Sequence, residues 1–382
     1  MVFKIPKDSP ELSIILPCRN EEQALEGCLL QIRSITNSCS IHSEIIVSDS
    51  STDHSPEIAK KRGVVLVKHD KEGYGQAYLE GFKVASGKYI FCADPDGSYD
   101  FAEIPNFLNY LREGYDFVIG NRFKGRIAPG AMPLLHRYIG NPLFSFLLRI
   151  FFKTKISDVH CGMRALSREA LDKLHLKTLG MEFASEMVIK AVKKKLKIQE
   201  SPINYYKRRG KSKLRSFADG WRHLRFMLLY SPFFLFFVPG LVLFLFGIIL
   251  MGWLYAGSPA ILGIKLFYHP MFFASVSAIV GYQIVIFALF AKTYAVTHLG
   301  EDSPRLQSLY RYVTIEKAGT AGILILLSGI IIYTFIFLKW IKSGFGALHE
   351  VKMSIVALTF IAIGTQTIFS SFMLSMLGIK ER

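Results

Sequence analysis

Short apolar runs separated by polar, helix-like stretches fill the first 230 residues, and long unbroken apolar runs fill most of the rest. In the first part, Leu12–Pro17 reads as a buried strand, Glu21–Ser34 as a helix opening on acidic residues, Glu44–Ser48 as a second strand and Ser55–Arg62 as a second helix. Val64–Val67, Gln76–Ala85, Tyr89–Ala93 and Phe101–Arg112 continue the alternation as strand, helix, strand and helix, and Phe117–Gly120 reads as another buried strand. This rhythm predicts an α/β domain built on a mostly parallel sheet, whose ligands lie beyond the carboxyl ends of its strands.

From Ser231 the pattern changes. Pro232–Tyr255, Tyr268–Ala291, Thr320–Ile341 and Met353–Leu377 are apolar over at least the ~20 residues that a helix needs to cross hydrocarbon. Two amphipathic stretches stand before them. His136–Phe152 sets Leu143, Phe146, Leu147 and Ile150 among Arg137, Arg149 and Lys153, and Leu214–Tyr230 sets Trp221, Leu224, Phe226 and Leu228 among Arg215, Arg222, His223 and Arg225. Both read as helices lying at a membrane surface. The expected organisation is therefore a catalytic domain over 1–213 that includes the amphipathic helix 136–152, an interfacial helix over 214–230, and a four-helix membrane domain over 231–382 with spans near 232–255, 268–291, 320–341 and 353–377.

Composition sharpens this division. Of 382 residues, 51% are hydrophobic, and the formal net charge is +16, most of it before Ser231. A basic domain tied to a bilayer favours anionic lipid head groups and phosphorylated substrates. Nucleic acid is excluded as a partner because neither zinc-finger cysteine spacing nor an RNA-binding aromatic signature is present. Five scattered cysteines, Cys18, Cys28, Cys39, Cys92 and Cys161, fit a reducing compartment, and the polar Met1–Glu11 does not read as a signal peptide. Lys292–Lys317 carries Lys292, Arg305, Arg311 and Lys317, whereas Gly257–His269 carries only Lys265. That bias places the catalytic domain in the cytoplasm, on an inner or plasma membrane, although Lys339, Lys342 and Lys352 in the third loop run against it.

Candidate chemistry collects at three strand ends: Arg19, Asn20 and Glu21 after the first, Asp49, Ser51 and Asp53 after the second, and Asp94, Asp96 and Ser98 after Tyr89–Ala93. In Asp94-Pro95-Asp96, two carboxylates two residues apart on a stiffened turn can grip one hard divalent cation, Mg²⁺ or Mn²⁺, which would neutralise a departing diphosphate. Gly73-Tyr74-Gly75 imitates a dinucleotide loop, but Tyr78 stands where the third glycine belongs, and the loop follows the third strand. Its glycines instead predict a close pass of the chain beside a bound nucleotide, or a plain tight turn. His160 and Cys161 have no partner at zinc-ligand spacing.

Leu12–Arg19 to Asp53, Gly73-Tyr74-Gly75-Gln76-Ala77, Ala93–Ser98 and Gly120-Asn121-Arg122-Phe123, taken in order, resemble the inverting GT-A glycosyltransferases of family 2, in particular the dolichyl- or polyprenyl-phosphate hexose synthases. The likeness covers roughly Leu12–Pro232. It implies that Pro17, Arg19, Asn20, Glu21, Asp49, Gly73 and Gln76, with Asp94 and Asp96, hold the nucleotide sugar, and that Asp94 and Asp96 surround the metal. It also implies that Arg122, Arg126, Asp158, Arg164, Arg208, Arg209, Lys211 and Lys213 serve the lipid phosphate, and that Glu186 stands at the active-site wall as a catalytic residue with Asp94, Asp96 and Arg122. Two departures from the family pattern stand out: Ser48-Asp49 replaces the usual Asp-Asp pair, and Ser98 sits where mannosyl-phosphate synthases often carry glutamine.

The function so implied is inverting transfer of a hexose, with UDP-glucose favoured and GDP-mannose the alternative donor, to dolichyl or undecaprenyl phosphate. A dianionic phosphate nucleophile needs positioning more than deprotonation. The competing readings are a processive polysaccharide synthase, disfavoured by the missing Gln-x-x-Arg-Trp motif, and a non-catalytic membrane scaffold. The second pair of membrane helices is available for contacts in a homo-oligomer.

Overall fold

The computed structural model describes residues 9–210, 216–257, 259–261, 264–297 and 315–378. It divides into two compact units, Met1–Tyr230 and Ser231–Arg382.

The first unit is an α/β domain. Its elements begin β1 (Leu12–Cys18), α1 (Leu25–Ser38), β2 (Ser43–Asp49), α2 (Ser55–Lys61), β3 (Val65–Lys68), α3 (Tyr74–Val84) and β4 (Tyr89–Cys92). A 3₁₀ turn, Phe101–Glu103, leads into α4 (Ile104–Arg112), followed by β5 (Phe117–Asn121). A π turn at His136–Gly140 opens α5 (Asn141–Phe152), and the chain continues through β6 (Arg164–Ser167), α6 (Arg168–Leu174), α7 (Phe183–Lys193), β7 (Ile198–Pro202) and α8 (Ser216–Leu229). The strands form one sheet in the order β3-β2-β1-β4-β6-β5-β7. All neighbours are parallel except β6, which runs antiparallel to both β4 and β5.

The apolar runs explain this order. Ile14, Ile15 and Leu16 of β1 are fully buried, as are Ile90 and Phe91 of β4, because helices cover both faces of a parallel sheet. Register then aligns Cys18 with Asp49 and Ile15 with Cys92, so the polar residues after β1, β2 and β4 emerge at the same edge. The mostly parallel sheet matches the sequence pattern, whereas β6 and β7 had no forecast in it. β6 is only four residues long and its first, Arg164, is charged.

α8 belongs to this unit. It packs on α5 and α7, burying Met227 and His223, while Trp221 and Leu229 remain exposed. α5 likewise buries Ser145 and Leu148 and exposes Leu143, Phe146 and Ile150.

The second unit is helical. After a π turn at Phe233–Phe237 come α9 (Val238–Ala256), a small hairpin of β8 (Ala260–Ile261) and β9 (Ile264–Lys265), α10 (His269–Thr297), α11 (Ile315–Lys342) and α12 (Val351–Gly378). Among the described residues four helices are long and apolar enough to cross a membrane: Phe233–Ala256, His269–Thr297, Glu316–Lys342 and Val351–Gly378. The protein is a multi-pass membrane protein. α9 packs on α10 through Gly240 and Gly247, and α11 packs on α12 through Gly322. Hydroxyl pairs then join the two halves, Ser275 to Thr359 at 2.7 Å and Tyr282 to Thr367 at 2.6 Å.

Candidate active site

A cavity of about 300 Å³ opens at the carboxyl ends of β1, β2 and β4. Pro17, Arg19 and Glu21 reach it from β1, Ser50 from β2, Gly73 and Tyr74 from the start of α3, and Asp94 and Asp96 from β4. Arg122, His160, Gly162, Ala184, Tyr205, Arg208 and His223 also line it. The site thus falls where a parallel sheet presents its strand ends.

Its acids are held in unequal ways. Asp96 Oδ1 accepts from the Ser98 backbone N–H at 2.9 Å and from the Ser98 hydroxyl at 2.5 Å. Asp96 Oδ2 lies 3.6 Å from Arg208 Nη1, and Arg208 Nη2 donates to Glu21 Oε1 at 3.0 Å. Burial, and then the charge of Asp96, push Asp94 up to about 7, against the opposing pull of a Tyr74 hydrogen bond and Arg208. A Cβ at position 162 would come within 2.6 Å of Asp94 Oδ2, so Gly162 lets the backbone lie against that carboxylate.

These residues fit a divalent cation. Burial and the neighbouring Asp96 charge penalise the Asp94 anion, and the oxygens of both carboxylates are the hard donors that Mg²⁺ and Mn²⁺ prefer. Among the described residues no group of three His, Cys, Asp or Glu side chains is arranged to hold a metal. A cation here would fill its shell with substrate and water oxygens, as Mg²⁺ commonly does.

The structure separates the other forecast residues into distinct roles. Arg122 Nε and Nη2 donate to Asp158 Oδ2 and Oδ1 at 2.8 and 2.7 Å, and the Arg122 backbone N–H also donates to Asp158. Asp158 is fully buried beneath this pair. Arg164 spends all three guanidinium nitrogens on backbone carbonyls, those of Cys161, Ala184 and Val159. Glu186 is fully buried and does not line the cavity. Its carboxylate accepts from Lys177 N–H, Thr178 N–H and Thr178 Oγ1 and pairs with Lys190 at 2.6 Å. Burial alone would raise its pKa, but the hydrogen bonds from Lys190, Thr178 and Lys177 hold it below the ordinary carboxylate value.

Asn20 adopts a left-handed φ of 55° and ties the β1 end to the β2 end through Thr52 and Ser51. Asp49 is buried, with Oδ1 accepting from Ser51 N–H and Oδ2 unpaired among the described residues. Gln76 donates to Glu80 at 2.7 Å, and Arg19 pairs with Glu72 at 2.6 Å. Arg126 is exposed and its carbonyl pairs with Tyr205 N–H, while Arg209 is exposed and donates its backbone N–H to the Asp96 carbonyl. Lys211 and Lys213 lie outside the described residues. At Gly73, φ is 137°, and a Cβ there would strike the Leu179 carbonyl. The close approach that the Gly73-Tyr74-Gly75 turn permits is therefore to the Thr178–Gly180 backbone, with Gln76 N–H donating to the Leu179 carbonyl at 3.1 Å.

Sequence reasoning gave no site role to Tyr74, Tyr99, Tyr205, Ser50, His160 or His223, all of which line the cavity. The available signal was the Asp158–Arg164 stretch, whose neighbours His160 and Gly162 reach the site. His223 was hidden in an amphipathic pattern.

Comparison with known proteins gives the family. The profile "Glycosyl transferase family 2" matches residues 13–175, and "Glycosyltransferase family 2 C-terminal transmembrane region" matches residues 289–378. The low-salt glycan biosynthesis hexosyltransferase Agl6 of Haloferax volcanii is 37% identical over 371 residues, covering 97% of this chain and 90% of that protein. The chain belongs to glycosyltransferase family 2. Another relative of this family 2 glycosyltransferase, the dolichyl-phosphate hexose transferase of Haloferax volcanii, is 33% identical over 212 residues, covering 55% of this chain and 89% of that protein. A crystal structure of glucosyl-3-phosphoglycerate synthase from Mycobacterium tuberculosis with Mn²⁺, UDP and glucosyl-3-phosphoglycerate is similar at 20% identity and a TM-score of 0.49, covering 59% of this chain and 81% of that one.

Proposed function

We propose that this glycosyltransferase moves a hexose, with inversion, from a nucleotide sugar to a polyprenyl or dolichyl phosphate, and that UDP-glucose is the donor. The observation that carries this reading is that one cavity collects the Asp94–Asp96 carboxylates together with the Arg122 and Arg208 guanidiniums. An acid pair suits a cation-bound diphosphate, and guanidinium groups suit the oxygens of a second phosphate. The relatives named a hexosyltransferase and a dolichyl-phosphate hexose transferase support the same class.

On this reading Asp94 and Asp96 hold Mg²⁺ or Mn²⁺, which when bound supplies positive charge to the leaving diphosphate. Pro17, Glu21, Ser50 and Gly73 shape the donor side of the cavity. Asp158 fixes the Arg122 guanidinium through two bonds, leaving Nη1 without a hydrogen bond among the described residues. Arg122 then orients the acceptor phosphate, which is largely dianionic at neutral pH and attacks the anomeric carbon opposite the diphosphate. No proton has to be removed from such a nucleophile. That agrees with the engagement of Glu186 in a buried network outside the cavity. The Lys292–Lys317 charges support a cytoplasmic catalytic domain.

The test is product formation by the full-length, detergent-solubilised protein from radiolabelled UDP-glucose or GDP-mannose, with dolichyl or undecaprenyl phosphate and with Mg²⁺, Mn²⁺ or chelator. The expected result is a cation-dependent, mild-acid-labile lipid product from UDP-glucose, lost in Asp96→Ala. A product from GDP-mannose alone would change the donor, and nucleotide-sugar binding without lipid product would overturn the acceptor.

A further inference from the structure

One wall of the cavity carries two histidines that the transfer reaction, as described, does not use. The rings of His160 and His223 lie 4.2 Å apart, and Phe144 packs edge-on to His160 with centroids 5.3 Å apart. Each ring is tied on one side by a neighbour. His223 Nδ1 is 2.9 Å from Ser185 Oγ, and His160 Nδ1 is 3.3 Å from Asn141 Oδ1.

The second contact, with the Asn141 amide oxygen facing the ring, goes with one tautomer of His160. An amide oxygen only accepts, so Nδ1 carries the proton and Nε2 is left with a lone pair. Nε2 is buried and has no hydrogen-bond partner among the described residues, although its ring lines the cavity. A buried acceptor without a partner is costly, and such groups in native proteins call for an explanation. Burial, followed by the charges of His223, Arg122 and Arg164, keeps this imidazole from taking a second proton at neutral pH.

The chemistry of that lone pair selects its ligand. Ionised phosphate oxygens are acceptors too and cannot pair with it, whereas a hydroxyl can donate to it. The position selects which hydroxyl. His160 lies two residues before Gly162, whose backbone rests against the Asp94 carboxylate. A diphosphate held at Asp94 and Asp96 would bring the hydroxyls of its attached sugar into the same cavity.

We propose that His160, braced by Asn141 and His223, is a specificity-determining residue whose Nε2 accepts a hydrogen bond from a hydroxyl of the transferred hexose. This rests on the reading of the cavity as a hexose-donor site. Asn141 and His223 are positioning residues that fix the tautomer and the ring plane.

The experiment measures binding of UDP, UDP-glucose, GDP and GDP-mannose to the full-length protein by calorimetry in Mn²⁺, for wild type, His160→Phe and His160→Gln. Phenylalanine keeps the ring packing without the acceptor, and glutamine returns an acceptor near the Nε2 position. The expected result is a roughly tenfold loss of affinity for the bound nucleotide sugar in His160→Phe with unchanged affinity for the bare nucleotide, and partial recovery in His160→Gln. One monodeoxy analogue of that donor should bind wild type and His160→Phe equally. Equal losses for nucleotide and nucleotide sugar, no loss at all, or thermal melts showing both variants unfolded would overturn the proposal. Wild type that binds the bare nucleotide but gains nothing from the sugar would overturn it with the donor reading intact in its nucleotide part. Wild type that binds none of the four would overturn both.

Discussion

Arg122 and Asp158 form a buried bidentate ion pair, 2.8 Å from Nε to Oδ2 and 2.7 Å from Nη2 to Oδ1, at the edge of the acid-lined cavity. Asp158 also accepts the Arg122 backbone N–H, so the carboxylate fixes both the main chain and the guanidinium of its partner. Removing the carboxylate leaves a buried guanidinium without its counter-charge. Asp158→Asn should therefore lower stability by about 3 kcal/mol. It should also lower kcat/KM by roughly 100-fold in the fraction that remains folded, because Arg122 loses its orientation. Thermal melts together with steady-state transfer assays check both. Unchanged activity in a destabilised Asp158→Asn protein would remove Arg122 from the reaction.

Glu186 should behave differently. Its carboxylate joins α7 to the 177–178 loop and to Lys190, and it stands outside the cavity. Glu186→Gln should cost about 2 kcal/mol of stability while leaving kcat/KM of the folded protein near wild type. The pH dependence has a fixed sign. Because the folded-state pKa is depressed, the acid contributes its stability above the unfolded carboxyl value near ~4.3, and that contribution is lost as pH falls through the folded value. The difference in melting temperature between wild type and Glu186→Gln should accordingly be full at pH 7 and shrink below about pH 4. A difference that stays constant from pH 7 to the acid limit would contradict the network as the source.

How far these roles were visible in the sequence depends on what the chain spells locally. The convergence of the β1, β2 and β4 ends was legible, because strands with short apolar centres followed by polar residues and alternating with helices fit a buried parallel sheet. The four membrane helices were legible because bilayer thickness sets a length that composition alone can meet. Arg164 and Glu186 were not legible. A charged residue reads the same in sequence whether it faces a substrate or three backbone carbonyls, and only the tertiary structure supplies the carbonyls of Cys161, Ala184 and Val159. The antiparallel β6 escaped for a related reason, since four residues beginning with arginine carry too little periodicity to register. His160 and His223 come from segments 63 residues apart in number, and nothing local signals their 4.2 Å approach.

Arg208 offers a test of the cation reading. Its guanidinium sits between Glu21 at 3.0 Å and Asp96 at 3.6 Å, so it already supplies positive charge to the acid cluster. Arg208→Gln removes a charge that competes with a divalent cation for Asp96. The Mn²⁺ concentration for half-maximal activity should fall several-fold, and the KM for the proposed lipid-phosphate acceptor should rise. Titration of activity with Mn²⁺ at fixed donor, then with acceptor at saturating Mn²⁺, separates the two effects. A higher Mn²⁺ requirement in the variant would mean that Arg208 organises the carboxylates for the cation and does not compete with it.

The membrane unit makes its own prediction, because the two helix pairs meet through hydroxyls as well as through close-packed small residues. Ser275 of α10 and Thr359 of α12 are both buried and lie 2.7 Å apart, and Thr359 also bonds the Ile355 carbonyl of its own helix. When Ser275 is lost, the Thr359 hydroxyl keeps its intrahelical acceptor, so the penalty is that of one exchanged hydrogen bond. Interhelical bonds of this kind contribute about 0.6 kcal/mol in membrane proteins. Ser275→Ala and Thr359→Val should each destabilise the detergent-solubilised protein modestly, and the double variant should cost less than the two single losses added together by about that amount. A double-mutant cycle on unfolding free energies reads the coupling directly. Strict additivity would show that the α10–α12 contact is held by shape alone, with Ser275 and Thr359 serving only as small residues that let the two helices approach.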